Sequence, residues 1–229
     1  MSKIKAALFD LDGTLFDTQK FYDEAHQKMI NTYGNKKKFT LEAKMKINGT
    51  PAKVANKYIC DLYGINLSAE EYQEKKHKFL SETLKNTGFL PGVKELLETL
   101  RYKYNFKIAI ATSSSKGPTD LKLSNYKTFI DSAVDLIITG DDKRIKKGKP
   151  NPDIFLLAAK ELGVDPKECI IFEDSVLGVE AALKTGASIV VAIPVPIIKP
   201  EVERIEYDKD KVKLCILDSM KEFDYGILK

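Results

Sequence analysis

Two aspartates separated by one residue stand at the end of the first apolar run of the chain. The run covers residues 4–9, and the acids are Asp10 and Asp12, with Gly13 and Thr14 directly after them. Two carboxylates this close repel each other unless a proton or a cation lies between them. A hard divalent ion such as Mg²⁺ prefers oxygen ligands of this kind. The string therefore indicates a metal-dependent catalytic site, while the motif alone leaves a solvated acidic turn open as the alternative.

A second pair of acids, Glu173 and Asp174, follows another apolar run at residues 169–172. At the exit of a buried strand, these carboxylates could complete an oxygen-ligand shell with Asp10. Acidic residues are also common where a helix begins, because they complement the helix dipole, and Ser175 is a suitable N-cap. The two roles are compatible, so the pair predicts metal ligands at the start of a helix.

Hydroxyl groups and a lysine could supply the contacts that a phosphate needs. Thr112 and Ser113 follow the apolar run of residues 107–111, where hydroxyls and free backbone N–H groups suit an anion. Lys149 stands just before a proline-marked helix start, so the backbone around it is restrained. An ammonium held there could bridge a phosphate and a carboxylate. A capped turn and a solvated surface lysine are the plainer interpretations of these two features.

Strands and helices alternate along most of the chain, and this pattern predicts where the polar clusters lie. Continuous rather than alternating apolarity marks strands that are buried on both faces. Such runs occupy residues 4–9, 107–111, 134–138, 169–172, 188–193 and 214–217. Helical patterns separate them, so we expect a doubly wound, Rossmann-like α/β fold with a parallel sheet. Ligands of such sheets bind at the carboxyl ends of the strands, where the polar clusters fall.

The stretch between the first two of these strands is too long for a simple crossover. About a hundred residues separate them, whereas a βαβ crossover needs a dozen or somewhat more. Three amphipathic helical patterns lie within the stretch, and the third begins with a capping box at Ser68. We predict a helical domain at residues 17–87, inserted into an α/β catalytic core formed by residues 1–16 and 88–229.

The composition is that of a globular protein with balanced charge. Hydrophobic residues make up 43% of the 229 positions, and 37 basic residues against 33 acidic ones leave a net charge of +4. This balance does not favour a nucleic-acid partner, and no apolar run reaches the roughly 18 residues that a membrane span needs. The three cysteines lack disulfide or zinc-site spacing. We therefore expect a cytoplasmic monomer that binds neither nucleic acid nor membranes.

Taken together, the four motifs resemble those of the haloacid dehalogenase superfamily. Its members carry Asp-x-Asp-Gly-Thr, then a Thr or Ser, then a lysine and then an acidic pair, and all four occur here in that order. Longer segments are similar to its β-phosphoglucomutase-like branch, at residues 89–93, 111–114, 148–155 and 172–182. Within that branch, residues 140–142 ahead of 148–150 are most similar to the pseudouridine-5′-phosphatase group. The inserted helices resemble the α-helical cap domain of the superfamily.

The resemblance implies a role for each motif. Asp10 would attack the phosphorus of a phosphomonoester and form an aspartyl-phosphate, and Asp12 would serve as general acid and then as general base. Thr112 or Ser113 and Lys149 would hold the phosphate oxygens. The implied ligands of Mg²⁺ are the carboxylates of Asp10 and Asp174, the backbone carbonyl of Asp12, and Glu173. In the cap, the implied substrate contacts are Asn48, Thr50 and Lys53.

Two alternatives to a phosphatase remain open. A hexose-phosphate mutase of the same branch shares the core, but the mutases place an arginine three residues after the glycine of the cap turn, where this chain has Ala52 and then Lys53. A receiver domain also forms an aspartyl-phosphate, for signalling, but the nearby Asp12 and the helical insertion argue against it. We expect Mg²⁺-dependent hydrolysis of a small phosphomonoester, a nucleotide or sugar monophosphate, with pseudouridine 5′-phosphate as a candidate.

Overall fold

Six parallel strands form one sheet in the computed structural model, which describes residues 3–47, 50 and 52–228. The strand order is β3-β2-β1-β4-β5-β6. The strands are β1 (Ala6–Phe9), β2 (Lys107–Ala111), β3 (Leu136–Ile138), β4 (Cys169–Glu173), β5 (Ile189–Ala192) and β6 (Lys213–Ile216). Strands β2 and β3 lie on one side of β1, and β4, β5 and β6 lie on its other side. The predicted doubly wound sheet is therefore confirmed.

Both faces of the sheet are covered, which explains the continuous apolar runs. Successive side chains of a strand point to opposite faces, so each strand contributes to two cores. In β1, Ala7 and Phe9 belong to one apolar cluster, whereas Ala6 and Leu8 belong to the cluster on the other face. Phe9 stacks on Phe172 of the neighbouring β4, with ring centroids 4.4 Å apart. This packing fixes the central strands, whose carboxyl ends carry the motifs.

The chain divides into two compact units, Thr18–Thr87 and the remainder, Met1–Asp17 with Gly88–Lys229. The first, called the helical unit below, contains α1 (Gln19–Tyr33), α2 (Leu41–Ile47), α3 (Ala52–Tyr63) and α4 (Ala69–Thr83). The α/β unit contains α5 (Val93–Glu98), α6 (Lys116–Leu123), α7 (Lys127–Ala133), α8 (Asp153–Leu162), α9 (Val176–Leu183) and α10 (Lys199–Glu203). In the part of the chain that the structure describes, no helix combines the length and the apolarity that a membrane crossing requires.

The helical unit has an apolar core of its own. Met29 of α1, Ile59 of α3 and Tyr72 of α4 are fully buried in it. The capping box that opens α4 is present, because Ser68 Oγ accepts from the backbone N–H of Glu71 and the Glu71 carboxylate accepts from the backbone N–H of Ser68. The unit therefore has the packing of an independent helical insertion.

Candidate active site

Lys149 joins two carboxylates at the carboxyl edge of the sheet. Its Nζ donates to Asp10 Oδ1 and to Glu173 Oε1, both at 2.6 Å, and to the carbonyl of Ala111 at 3.3 Å. Asp10 directly follows β1, and Glu173 is the last residue of the adjacent β4. Burial opposes the charge on Lys149, but the two carboxylates outweigh it and raise the pKa of the lysine above its usual value. Lys149 is therefore a fixed positive charge beside Asp10.

Glu173 also holds the loop that follows β4. Its Oε2 accepts from the backbone N–H groups of Asp174 and Ser175, at 2.8 and 2.9 Å, and from the Ser175 hydroxyl at 3.1 Å. Gly178 in α9 makes room for this carboxylate, because a Cβ there would lie 1.9 Å from Glu173 Cδ. Both oxygens of Glu173 thus have protein partners, and the side chain fixes Lys149 on one side and the Asp174 loop on the other.

Asp10 and Asp174 form a buried pair of acids whose charges repel. Each residue is 6% exposed. Burial raises the pKa of Asp10 to about 7, against the lowering effect of Lys149, and the neighbouring Glu173 and Asp12 add to the rise. Burial likewise raises the pKa of Asp174, and the charges of Glu173 and Asp10 raise it further. A bound cation would offset the charge on such a pair.

The surroundings of Asp174 suit a hard cation. Thr14 Oγ1 donates to Asp174 Oδ1 at 3.2 Å. Gly13 has a φ of 87°, and a Cβ at that position would lie 2.2 Å from Asp174 Oδ2, so glycine is required for this close approach. Within the described residues, no group of three or more His, Cys, Asp or Glu side chains is arranged to hold a metal ion. The donor set that fits is two carboxylates supplemented by backbone carbonyl oxygen, which Mg²⁺ accepts.

Asp12 is held by a second lysine, which the sequence motifs do not include. Lys122 Nζ lies 2.6 Å from both carboxylate oxygens of Asp12 and 2.8 Å from Ser114 Oγ. Ser114 Oγ in turn donates to Asp12 Oδ2 at 2.7 Å. The Lys122 side chain is 0% exposed, whereas that of Asp12 is 23% exposed. Lys122 and Ser114 thus hold the Asp12 carboxylate, while part of the Asp12 side chain remains exposed.

One sequence signal could have pointed to Lys122. The buried residues of α6 are Thr119, Lys122 and Leu123, so a lysine occupies the face that packs inward. Lysine is rarely fully buried unless it is paired, and its presence on an inward face indicates a buried partner. The identity of that partner could not be predicted, because Asp12 lies 110 residues earlier in the chain.

The hydroxyls at the end of β2 lie in a loop with little freedom. Thr112 directly follows β2 and is buried, and its Oγ1 accepts from the backbone N–H two residues further on. Ser113 is exposed, and its carbonyl packs against Gly140, where a Cβ would lie 2.3 Å from that oxygen. Asp141 accepts from the backbone N–H of Lys116 at the start of α6, at 3.1 and 3.2 Å. Residues 140–141 therefore hold the loop that carries Thr112 and Ser113.

The predicted cap contacts lie in the helical unit or outside the described residues. Asn48 is among the residues that the structure does not describe. Thr50 is exposed, and its Oγ1 donates to the carbonyl of Ile47 at 2.9 Å. Lys53 forms an ion pair with Glu70 at 2.8 Å, and its side chain is 80% exposed. The role of these residues in substrate binding stays a prediction.

The fold and this site together define a hydrolase with a parallel α/β core and an inserted helical unit. The family model for haloacid dehalogenase-like hydrolases matches residues 7–192. A probable pseudouridine-5′-phosphatase of Saccharomyces cerevisiae is 38% identical over 195 residues, which cover 82% of this chain and 81% of that protein. A (DL)-glycerol-3-phosphatase of Arabidopsis thaliana is 32% identical over 225 residues, which cover 96% of this chain and 89% of that protein.

A solved structure extends the likeness to the whole fold. A HAD hydrolase of family IA, variant 3, from Entamoeba histolytica superposes with a TM-score of 0.81 at 27% identity and covers 98% of this chain and 97% of its own. The chain belongs to the haloacid dehalogenase-like hydrolase family, and it is a phosphatase of that family. Phosphatases of this family generally use a divalent metal ion.

Proposed function

We propose that this phosphatase hydrolyses small phosphomonoesters through an aspartyl-phosphate on Asp10, with Mg²⁺ as its cofactor. The observation that carries the proposal is the buried contact of Lys149 with both Asp10 and Glu173, 2.6 Å from each, with Asp174 in the loop that follows. Asp12, two residues after the nucleophile, is held separately by Lys122. A nucleophile, a fixed cation and a second carboxylate for proton transfer are what two-step phosphoryl transfer needs.

In the first half-reaction, a carboxylate oxygen of Asp10 bonds to phosphorus while the bond from phosphorus to the leaving oxygen breaks. Asp12 donates a proton to that oxygen, so the product leaves as an alcohol. Lys149 binds a non-bridging oxygen of the phosphoryl group, together with a hydroxyl of Thr112 or Ser113. The buried position of Lys149 beside Asp10 supports this role, because an ammonium there offsets charge on both the carboxylate and the phosphoryl group.

In the second half-reaction, a water molecule attacks the phosphorus of the aspartyl-phosphate. Asp12 accepts a proton from this water as its oxygen bonds to phosphorus, and the bond from phosphorus to the Asp10 oxygen breaks. Inorganic phosphate leaves, and the Asp10 carboxylate is regenerated. One side chain can serve both steps, since Asp12 has lost its proton in the first step and regains one in the second.

The residues that would hold Mg²⁺ are Asp10 and Asp174, through their carboxylates, and Asp12, through its backbone carbonyl. When bound, the ion would offset negative charge on the phosphoryl oxygens. The hydrogen bonds of Glu173 to Lys149 and to the Asp174 loop favour a positioning role for this residue over direct ligation.

The metal requirement is tested with p-nitrophenyl phosphate as substrate. We expect no turnover in excess chelator, recovery on addition of Mg²⁺, and inhibition by Ca²⁺, whose larger and looser ligand shell would misplace the nucleophile. Undiminished turnover in chelator would contradict the metal assignment.

For the substrate, we propose pseudouridine 5′-phosphate. Two observations support it: the similarity of residues 140–155 to the pseudouridine-5′-phosphatase group, and the yeast relative of that name. The test compares catalytic efficiency on pseudouridine 5′-phosphate, uridine 5′-phosphate and glycerol 3-phosphate. A preference for pseudouridine 5′-phosphate is expected, and equal or higher efficiency on glycerol 3-phosphate would contradict the choice. Alanine variants of Asn48, Thr50 and Lys53 should lower the efficiency on the preferred substrate while sparing p-nitrophenyl phosphate.

A further inference from the structure

We propose that Lys122, together with Ser114, is a positioning residue that holds the Asp12 carboxylate in place for proton transfer. The proposal rests on the proposed function, in which Asp12 exchanges a proton with the leaving group and with water. Lys122 does not reach the reacting atoms itself in this scheme, and it acts only through Asp12.

The contacts form a closed triangle around one oxygen of Asp12. Asp12 Oδ2 lies 2.6 Å from Lys122 Nζ and 2.7 Å from Ser114 Oγ, and the lysine and serine are 2.8 Å apart. The serine hydroxyl donates to Asp12 and accepts from Lys122, so its hydrogen-bonding capacity is used in a single orientation. Two donors on the same oxygen fix both the position and the plane of the carboxylate.

The second oxygen of Asp12 has a different environment. Oδ1 also lies 2.6 Å from Lys122 Nζ, but among the described residues it has no hydrogen-bond partner of suitable geometry. Burial of a carboxylate oxygen is costly unless a charge compensates it, and the ammonium of Lys122 is close enough to do so. Lys122 therefore contacts both oxygens of Asp12, through a hydrogen bond to Oδ2 and an ion pair with Oδ1.

The stability of the fold does not account for this arrangement. A buried ion pair generally contributes no more to stability than well-packed apolar side chains of similar volume. Lys122 also loses the rotational freedom of a long side chain, since it is 0% exposed, on a helix face that it shares with Leu123. An apolar residue at position 122 would satisfy packing alone. A fixed carboxylate is what the lysine adds.

Kinetics with aryl phosphates of graded leaving-group acidity can separate positioning from a general structural role. The value of kcat/KM reports the steps up to formation of the aspartyl-phosphate. Only a poor leaving group such as phenol needs protonation in that step, whereas p-nitrophenol leaves without it. Turnover of either ester still needs Asp12 as the base in the second step. A displaced Asp12 should therefore affect the two esters differently, although they bind in the same way.

For Lys122→Met we expect kcat/KM on phenyl phosphate to fall by roughly 10²-fold, the scale of loss that a misplacement of about 1 Å can cause. On p-nitrophenyl phosphate, kcat/KM should fall far less, while kcat drops and a burst of one p-nitrophenol per enzyme precedes the steady state. Lys122→Arg should restore much of the loss, because it keeps a buried donor near Asp12.

The matched control is Lys127→Met in α7, which removes an exposed lysine that is paired with Asp131 one turn away. It should behave like the wild type on both esters. Thermal unfolding of each variant checks that the fold is retained.

A double variant gives the decisive comparison. If Lys122 acts through Asp12, Lys122→Met should cost little further activity in an Asp12→Asn background. Equal losses on the two esters, or losses that add in the double variant, would overturn the positioning role alone. A wild-type protein that turns over neither ester would overturn the proposed function and the positioning role together.

Discussion

Both units of the molecule bury lysines, but they compensate the charge in different ways. In the α/β unit, Lys149 and Lys122 each lie 2.6 Å from a carboxylate. In the helical unit, the buried Lys76 donates to the neutral amide oxygen of Asn56 at 3.0 Å, and no carboxylate pairs with it within the described residues. The consequences are opposite, since the pKa of Lys149 is raised by its acids, whereas burial lowers the pKa of Lys76 to about 8.

The difference distinguishes Lys149 and Lys122, which pair with acids of the proposed active site, from Lys76, which pairs with a neutral amide. The lysines of the α/β unit contact three acids, Asp10, Asp12 and Glu173. The ionised forms of these acids repel one another, and such an arrangement is typical of catalytic sites. Lys76 contacts neutral groups, namely the amide of Asn56 and the ring of Tyr72, whose centroid lies 5.6 Å from the Lys76 Nζ. We therefore expect substitutions in the first set to affect turnover and substitution of Lys76 to affect stability.

The largest effect should come from Asp10→Asn. Removal of the nucleophile should lower turnover by roughly 10⁴- to 10⁶-fold, the range seen when an essential group of a catalytic unit is lost. The measurement is steady-state hydrolysis of p-nitrophenyl phosphate. Asp131→Asn on the exposed face of α7 is the matched control and should retain full activity. Substantial residual activity of Asp10→Asn would show that another residue is the nucleophile.

Asp12→Asn should have a smaller effect, which depends on the leaving group. Loss of a general acid and base typically costs about 10²- to 10⁴-fold. We expect that loss in kcat for phenyl phosphate, with the affinity for Mg²⁺ retained, because the backbone carbonyl of residue 12 is unchanged. Calorimetric titration with Mg²⁺ provides the second measurement. Near-normal turnover of phenyl phosphate would indicate a different proton donor.

A pair of lysine substitutions tests the comparison through stability. Lys149→Met leaves buried acids without their cation and should lower the free energy of unfolding by about 3–5 kcal/mol. Lys76→Met removes an uncompensated buried charge and should leave the free energy of unfolding equal or higher by about 1–2 kcal/mol at pH 7. Urea titration measures both variants, and p-nitrophenyl phosphate turnover should be retained by Lys76→Met alone. A strong destabilisation by Lys76→Met would break the distinction between the units.

The pH dependence of stability tests the same point about Lys76. In the folded state, the pKa of Lys76 is lowered from 10.5 to about 8, so the unfolded chain binds more protons between these values. Stability should therefore rise with pH across about pH 8 to 10.5, by up to about 3 kcal/mol from this group. Lys76→Met should lack that rise, and the stability difference between it and the wild type should shrink as the pH increases. A difference that stays constant with pH would contradict the buried, uncompensated state of Lys76.

Acidification should act through His26 in the same unit. Its pKa is lowered from 6.5 to about 3, mainly by burial and further by the charge of Lys76, so the folded state keeps this imidazole neutral. The unfolded chain binds the additional proton below about pH 6.5, and the contribution of His26 to stability is lost progressively as the pH falls from about 6.5 to 3. His26→Gln should show a weaker loss over this range in urea titrations, and an identical loss would contradict the prediction.

Much of the fold could be predicted because its signals are local. Each core strand is a short apolar run that ends in polar residues, and burial on both faces explains why the runs do not alternate. Helix α2 has no comparable signal, since Ala43 is its one buried residue among those described. The pairing of Asp10 with Lys149 and Glu173 links positions far apart in the chain, and family motifs were needed to suggest it. Lys122 belongs to no such motif, so its contact with Asp12 required the structure.

The chemical identity of the intermediate is the most direct test of the proposed mechanism. Asp12→Asn slows the second half-reaction, so an aspartyl-phosphate should accumulate when this variant is mixed with p-nitrophenyl phosphate. Borohydride reduces an acyl phosphate to the alcohol, which would convert Asp10 to homoserine, and mass spectrometry of the digested protein locates the change. We predict homoserine at position 10 in the presence of substrate and aspartate in its absence. Release of p-nitrophenol without conversion of Asp10, or conversion of a different acid, would contradict the mechanism.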